Sequence, residues 1–131
     1  MTDRPGLSKG EMEVARVLWS LGSASVRQVH EAFPPDREID FATVQTYLRR
    51  LETKGYVTGE IQGRTRVYTP CVQPQSVIRE SIHDFVDRLF GGETLPLVRQ
   101  LIEEGDVSTD ELAELRRLIT RLEKQRKPEV Q

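Results

Sequence analysis

The fold of this chain is decided by two adjoining stretches, DFATVQTYLRRLETKG at residues 40–55 and YVTGEIQGRTRVYT at residues 56–69. Apolar residues in the first stretch recur at steps of three and four, which predicts a helix with one inward side. That side holds Phe41, Val44, Tyr47, Leu48 and Leu51. Asp40 can cap the start of the helix, and Gly55 marks its end. In the second stretch, two strand-like runs flank Gln62-Gly63-Arg64, which predicts a β-hairpin.

Two further helices are predicted ahead of these stretches. Ser8-Lys9-Gly10-Glu11 is a capping box, in which the serine and glutamate side chains satisfy free amides at a helix start. Ser25-Val26-Arg27-Gln28 is a second box, and Pro34-Pro35 stops the short helix that it opens. Three helices followed by a hairpin is the order of a winged helix-turn-helix. We expect that fold for residues 1–72.

Residues 73–131 predict three more helices, the last opening with the box Ser108-Thr109-Asp110-Glu111. The chain is therefore expected to be mostly α-helical with a small β-hairpin. Three short helices cannot bury such wide apolar faces among themselves. This favours a three-helix dimerisation domain, with packing inside one chain as the alternative. The predicted dimerisation residues are Ile78, Ile82, Phe85, Leu89, Phe90, Leu97, Leu101, Leu112, Leu115, Leu118, Ile119 and Leu122.

Charge and hydropathy narrow the function classes. The net charge is −2, but residues 1–70 hold 10 Lys/Arg and 9 Asp/Glu, whereas residues 71–131 hold 9 and 12. DNA binding needs a local basic face and not a basic protein, so an acidic balance does not exclude it.

No apolar run reaches the roughly 20 residues that span a bilayer. With no secretory pattern at the N-terminus, we expect a cytoplasmic protein without membrane insertion.

The third helix is the candidate reader of DNA. Its outward side carries Thr, Gln and Arg, the residue types that hydrogen-bond to base edges and phosphates in the major groove. The predicted contacts on this helix are Ala42, Thr43, Gln45, Thr46, Arg49 and Arg50. Arg64 and Arg66 in the wing are predicted to contact the DNA backbone or minor groove. A protein-interaction adaptor that uses the same helix without binding DNA is the alternative.

Residues suited to catalysis or metal binding are few and scattered. His30 and His83 have no cysteine or acidic partner at metal-ligand spacing, and a zinc site needs three or four converging ligands. Cys71 is the only cysteine, so it cannot form an internal disulfide. No nucleophile elbow, phosphate loop or dinucleotide fingerprint is present. We therefore expect no catalytic residues, no metal and no cofactor.

Several blocks of sequence resemble the penicillinase-repressor family (BlaI/MecI/CopY-type regulators). They are Leu7-Ser8-x-x-Glu11-x-x-Val14-x-x-Val17-Leu18-Trp19, Thr43-Val44-Gln45-Thr46-x-Leu48-x-Arg50-Leu51-x-x-Lys54-Gly55, Tyr68-x-Pro70, Phe85-x-x-x-Leu89-Phe90-Gly91-Gly92 and Ser108-x-x-Glu111-Leu112-x-Glu114-Leu115. The resemblance runs from about Leu7 to Leu122. It implies a homodimeric repressor that binds a palindromic operator through two winged helices.

The resemblance also implies a way of releasing the operator. In the penicillinase branch, a membrane sensor protease is often encoded beside the repressor, and cleavage falls at an Asn-Phe bond of the C-terminal domain. The matching positions here are Gln100 and Leu101, which departs from that pattern and puts the same cleavage specificity in doubt. The copper-responsive branch carries a C-terminal cysteine cluster, which this chain does not match.

Overall fold

The computed structural model describes residues 4–126, which form a mostly helical chain with one small antiparallel sheet. The predicted fold class is confirmed. The elements are α1 (Lys9–Leu21), β1 (Ala24–Ser25), α2 (Val26–Ala32), α3 (Phe41–Thr53), β2 (Val57–Gln62), β3 (Thr65–Pro70), α4 (Pro74–Phe90), α5 (Thr94–Glu104) and α6 (Thr109–Gln125). Residues 1–3 and 127–131, the outer ends of the two predicted domains, lie outside the described residues.

Helix starts follow the predicted capping boxes. At α1, the Ser8 hydroxyl accepts a hydrogen bond from the Glu11 amide at 3.2 Å, and the Ser8 amide donates to the Glu11 carboxylate at 2.8 Å. The same reciprocal pair opens α2 and α6. Asp40 occupies the N-cap position of α3, but its side chain makes no capping hydrogen bond. The predicted position of that cap is confirmed, and the predicted role of the Asp40 side chain is wrong.

The wing is a regular hairpin within a three-stranded sheet of order β1-β3-β2. Strands β2 and β3 pair from Val57↔Pro70 to Gln62↔Thr65. Gly63 begins the two-residue turn between them with a φ of +67°, a conformation that favours glycine. The third strand, β1, was not predicted from sequence; it pairs Ala24 with Tyr68 across the sheet.

The chain divides into two compact units, the first reaching Ile82 and the second beginning at His83. The sequence placed the division earlier, between residues 72 and 73. Val77, in the first turns of α4, is 2% exposed and belongs to the same core as Val14 and Leu48. The start of α4 therefore completes the core of the first unit. None of the helices in the described part of the chain combines the length and the apolar composition needed to cross a membrane.

Candidate nucleic-acid interface

Helix α3 is anchored in the core by one side and open to solvent on the other. Val44, Leu48 and Leu51 are completely buried. A helix turns about 100° per residue, so the residues between these anchors point away from the core, except Tyr47, which packs against it. Four of the six predicted reader residues are exposed, namely Ala42, Thr46, Arg49 and Arg50. The other two, Thr43 and Gln45, lie at the flanks and are half-buried. The structure thus places all six on the accessible part of the helix.

Two side chains on this accessible side have their orientation restrained. The Thr46 hydroxyl donates to the Ala42 carbonyl oxygen at 3.0 Å, so its proton is engaged, while its methyl group and the lone pairs of its oxygen stay available for a new contact. The Arg50 guanidinium carbon lies 5.7 Å from the centre of the Tyr47 ring, within the range of a cation–π interaction. Arg50 is consequently held over a half-buried ring and not left to sample every rotamer.

The turn between α2 and α3 is held by a histidine. The His30 Nε2 lies 2.8 Å from the Ile39 carbonyl oxygen, to which it donates, and the His30 ring meets the Phe41 ring edge-on at 5.9 Å. Phe41 is 45% exposed, so its predicted place on the inward side is wrong. It is the first residue of α3 and packs against His30 instead of entering the core. His30 thereby contacts both the end of the turn, at Ile39, and the first residue of α3.

A second tie joins this turn to α1. Arg37 donates from Nε to one Glu13 carboxylate oxygen at 2.6 Å and from Nη2 to the other at 2.9 Å, and its Nη1 donates to the Glu38 carbonyl at 2.7 Å. The hydrogen bond from Arg37 holds the pKa of Glu13 below its usual value. A bidentate pair of this kind fixes direction as well as distance. The turn is therefore braced from α1.

The far end of α3 is tied to the start of α1 through a buried carboxylate. Glu11 is 2% exposed, and its Oε1 accepts from Lys54 Nζ at 2.6 Å as well as from the Ser8 amide. Lys54 also donates to the Gly6 carbonyl oxygen at 2.9 Å. Burial raises the pKa of Glu11, but the bonds from Lys54 and Ser8 outweigh it, and the pKa lies below its usual value. This charge pair was not predicted, since the capping box points Glu11 only at Ser8.

The two wing arginines have different surroundings. Arg64, in the turn, is exposed and makes no ion pair within residues 4–126. Arg66, on β3, places Nη2 2.6 Å from the Glu52 carboxylate of α3, and its guanidinium lies 5.7 Å from the Tyr68 ring centre. The hydrogen bond to Glu52 raises the pKa of Arg66. The structure therefore leaves Arg64 open to a ligand and pairs Arg66 within the protein.

The second unit carries many apolar side chains on its surface. Helices α5 and α6 contain no buried residue. Of the predicted dimerisation residues, the structure exposes Ile78, Ile82, Phe85, Leu89, Leu101, Leu112, Leu118, Ile119 and Leu122 and half-buries Phe90, Leu97 and Leu115. Leu95, Val98 and Ile102 are also exposed and were not among those predicted. Gln100 and Leu101 both lie exposed within α5.

Residues with chemistry suited to metals do not converge in the part of the chain that the structure describes, where no three His, Cys, Asp or Glu side chains lie close enough to hold a metal ion. Cys71 is exposed, and its Sγ donates to the Gly55 carbonyl oxygen at 3.3 Å. His83 Nδ1 lies 3.4 Å from an Asp87 carboxylate oxygen one turn along α4.

The family of this chain follows from its similarity to known proteins. The sequence profile described as "Penicillinase repressor" matches residues 7–121, which is most of the chain. The chain belongs to the penicillinase-repressor family. The resemblance drawn from the sequence blocks is thus confirmed, and as a member of this family the chain is a repressor whose N-terminal unit is a winged helix.

Curated relatives align along nearly their whole length with this member of the penicillinase-repressor family. The penicillinase repressor of Bacillus licheniformis is 30% identical over 115 residues, covering 88% of this chain and 90% of the relative. The methicillin resistance regulatory protein MecI of Mammaliicoccus sciuri is 25% identical over 115 residues, covering 88% and 94%. A solved structure of Bacillus licheniformis BlaI in monomeric form, in complex with the blaP half-operator, is 32% identical with a TM-score of 0.49, covering 57% of this chain and 92% of that one.

Proposed function

We propose that this repressor binds a palindromic DNA operator as a homodimer, each winged helix reading one half-site. The observation that carries the proposal is the polar face of α3, which stands on three completely buried anchors and is braced at both ends. A helix of this kind fits the major groove, and residues nearer its start reach the bases. We assign base reading to Ala42, Thr43, Gln45 and Thr46, base or phosphate contacts to Arg49 and Arg50, and a backbone contact to Arg64.

The direct test is binding of full-length protein to a labelled duplex taken from upstream of its own gene. Fluorescence anisotropy is measured at several salt concentrations with excess unlabelled random duplex present. Arg50→Ala should lower specific affinity by about 5- to 150-fold for each half-site, because one good bidentate contact to a base contributes about 1–3 kcal/mol. Arg99→Ala, which removes the same charge from the exposed surface of α5, is the matched control and should bind like the unmodified protein.

The competing adaptor hypothesis makes the opposite prediction. A winged helix that meets only protein has no affinity for duplex DNA at any salt concentration. If the promoter fragment does not bind even at low salt, operator recognition is refuted and a protein partner should be sought instead.

The proposed dimer uses the exposed apolar residues of α4 to α6. Many large apolar side chains are exposed on these helices, and exposed apolar surface is typical of interaction sites. Helices α5 and α6 bury no residue of their own, so they need a partner surface. Tethering two weak half-site readers raises the affinity for a palindrome through effective concentration. Phe85→Asp should therefore yield monomers in sedimentation and weaker operator binding. Gln75→Asp, at an exposed polar position in the first turn of α4 where a negative charge is tolerated, is the control and should remain dimeric.

We also propose that the repressor is cytoplasmic and that an upstream signal acts on its C-terminal unit to release the operator. The candidate agent is a membrane sensor protease. The bond between Gln100 and Leu101 is the candidate cleavage site. It lies inside α5, where the Leu101 carbonyl accepts from the Gly105 amide at 3.1 Å, so a protease requires local unwinding of the helix first. Mass spectrometry of the repressor from induced cells tests this, and an intact chain in derepressed cells would exclude cleavage as the signal.

A further inference from the structure

Arg66 links the wing to α3 through two contacts, an ion pair with Glu52 and a ring contact with Tyr68. Arg66 Nη2 meets the Glu52 carboxylate at 2.6 Å, and the same guanidinium lies over the ring of Tyr68, which is 1% exposed. The planar group is therefore fixed by a carboxylate at its end and an aromatic ring at its face. One side chain thus joins the hairpin to the last turns of α3.

The path of Arg66 depends on a glycine in the neighbouring strand. Gly59 pairs with Tyr68 in the β2–β3 ladder. A Cβ at Gly59 would lie 2.7 Å from Arg66 Nε and 2.9 Å from its Nη2, closer than real Cβ contacts allow. Gly59 has no positive φ, so the backbone does not require glycine there. The absence of a side chain instead leaves room for the guanidinium to lie against β2 and reach Glu52.

We propose that Arg66 is a positioning residue and that Arg64 is the wing's own phosphate contact. The pair Glu52–Arg66, here called the wing latch, holds the hairpin at a set position beside α3. The charges of Glu52 and Arg66 neutralise each other, so Arg66 attracts a phosphate only weakly. Arg64, at the turn, is exposed with its full charge. Backbone contacts set the register in which a reading helix meets the bases. The proposal rests on the DNA binding proposed above.

Salt dependence separates the two roles. The slope of log K against log salt concentration changes by about 0.9 for each phosphate contact, or about 1.8 for a dimer. Arg64→Gln should make the slope shallower by about 1.8. Arg66→Gln removes the same charge but should leave the slope unchanged while weakening discrimination against random duplex. Glu52→Gln should steepen the slope by releasing Arg66, and this effect should vanish when Arg66→Gln is added.

A measurement without DNA tests the latch separately from operator binding. Gly59→Ala keeps both charges and displaces Arg66, so amide hydrogen exchange in residues 57–70 should become faster, as in Arg66→Gln, and stay unchanged in Arg64→Gln. Unchanged exchange in both latch variants would overturn the latch. A slope loss of about 1.8 for Arg66→Gln would overturn the division of roles. If the unmodified protein binds no duplex, the proposed function fails, and the exchange data still decide whether the latch exists.

Discussion

Replacing Glu11, a buried charged residue of the first unit, with glutamine should destabilise that unit. The substitution keeps the side-chain shape and an oxygen that can accept from the Ser8 amide, but it removes the charge that meets Lys54 at 2.6 Å. Glu11 is 2% exposed, so little water reaches this end of the pair to compensate Lys54 for the lost negative charge. The change therefore isolates the charge from the capping geometry.

The size of the effect follows from the bonds involved. A hydrogen bond to a charged group contributes about 1.5–3 kcal/mol, and breaking a fully buried ion pair costs about 3–5 kcal/mol. Lys54 is only partly buried, with 25% of its side chain exposed, so the lower range applies. We expect Glu11→Gln to lower the free energy of unfolding by about 2 kcal/mol at pH 7.

The stability lost in Glu11→Gln should become smaller as the pH falls. Because the pKa of Glu11 is lowered in the folded chain from its ordinary 4.5, its charge stabilises the fold fully above that value. The contribution disappears as the pH falls through the folded pKa. The difference between the unmodified chain and Glu11→Gln should therefore be constant from about pH 5.5 to 7 and shrink below about pH 4.5.

Urea unfolding followed by tryptophan fluorescence is a suitable assay. Trp19, the single tryptophan, packs against the core of the first unit, so its fluorescence reports unfolding of that core. Protein concentration must be held constant, since association changes apparent stability. Lys54→Met completes a double-mutant cycle that separates the pair from single-site effects. A loss below about 0.5 kcal/mol, or one that does not change between pH 7 and pH 3, would show that the Glu11 charge does not stabilise the fold through Lys54.

Three further changes test the site and its support. Leu48→Ala, at a completely buried anchor of α3, should lower the free energy of unfolding by about 3 kcal/mol in the same urea assay, and a loss under 1 kcal/mol would show that the site collapses. Thr46→Val should keep operator affinity and Thr46→Ser should lose some, since the hydroxyl proton is bound to the Ala42 carbonyl oxygen and the methyl group is the expected contact to a base; anisotropy titrations giving the reverse order would implicate the hydroxyl oxygen as an acceptor. Gly63→Val strains a residue with a φ of +67° and should loosen the wing, seen as faster hydrogen exchange in β2 and β3, whereas Glu60→Val on an exposed strand position should not.

Local features of this chain could be predicted because their partners lie within a few residues. The capping boxes at Ser8, Ser25 and Ser108 each join positions three apart, and all are present in the structure. The same holds for the apolar stripe of α3, apart from Phe41 at its edge, and for the wing turn at Gly63. The outward face of α3 followed from periodicity alone. Its role as a DNA contact remains a prediction.

Features joining distant parts of the chain were decided only by tertiary packing. Strand β1 is two residues long and exists because Ala24 meets Tyr68 in the sheet. Lys54 forms an ion pair with Glu11, and Arg66 with Glu52, because the folded core brings α1, α3 and the wing together. A one-dimensional pattern fixes which side of a helix is apolar, but a charge pair depends on where two surfaces meet. Periodicity along the chain is thus enough to predict the winged helix and its outward face, whereas only the packing of distant segments shows which cations are paired within the protein and which stay open to a ligand.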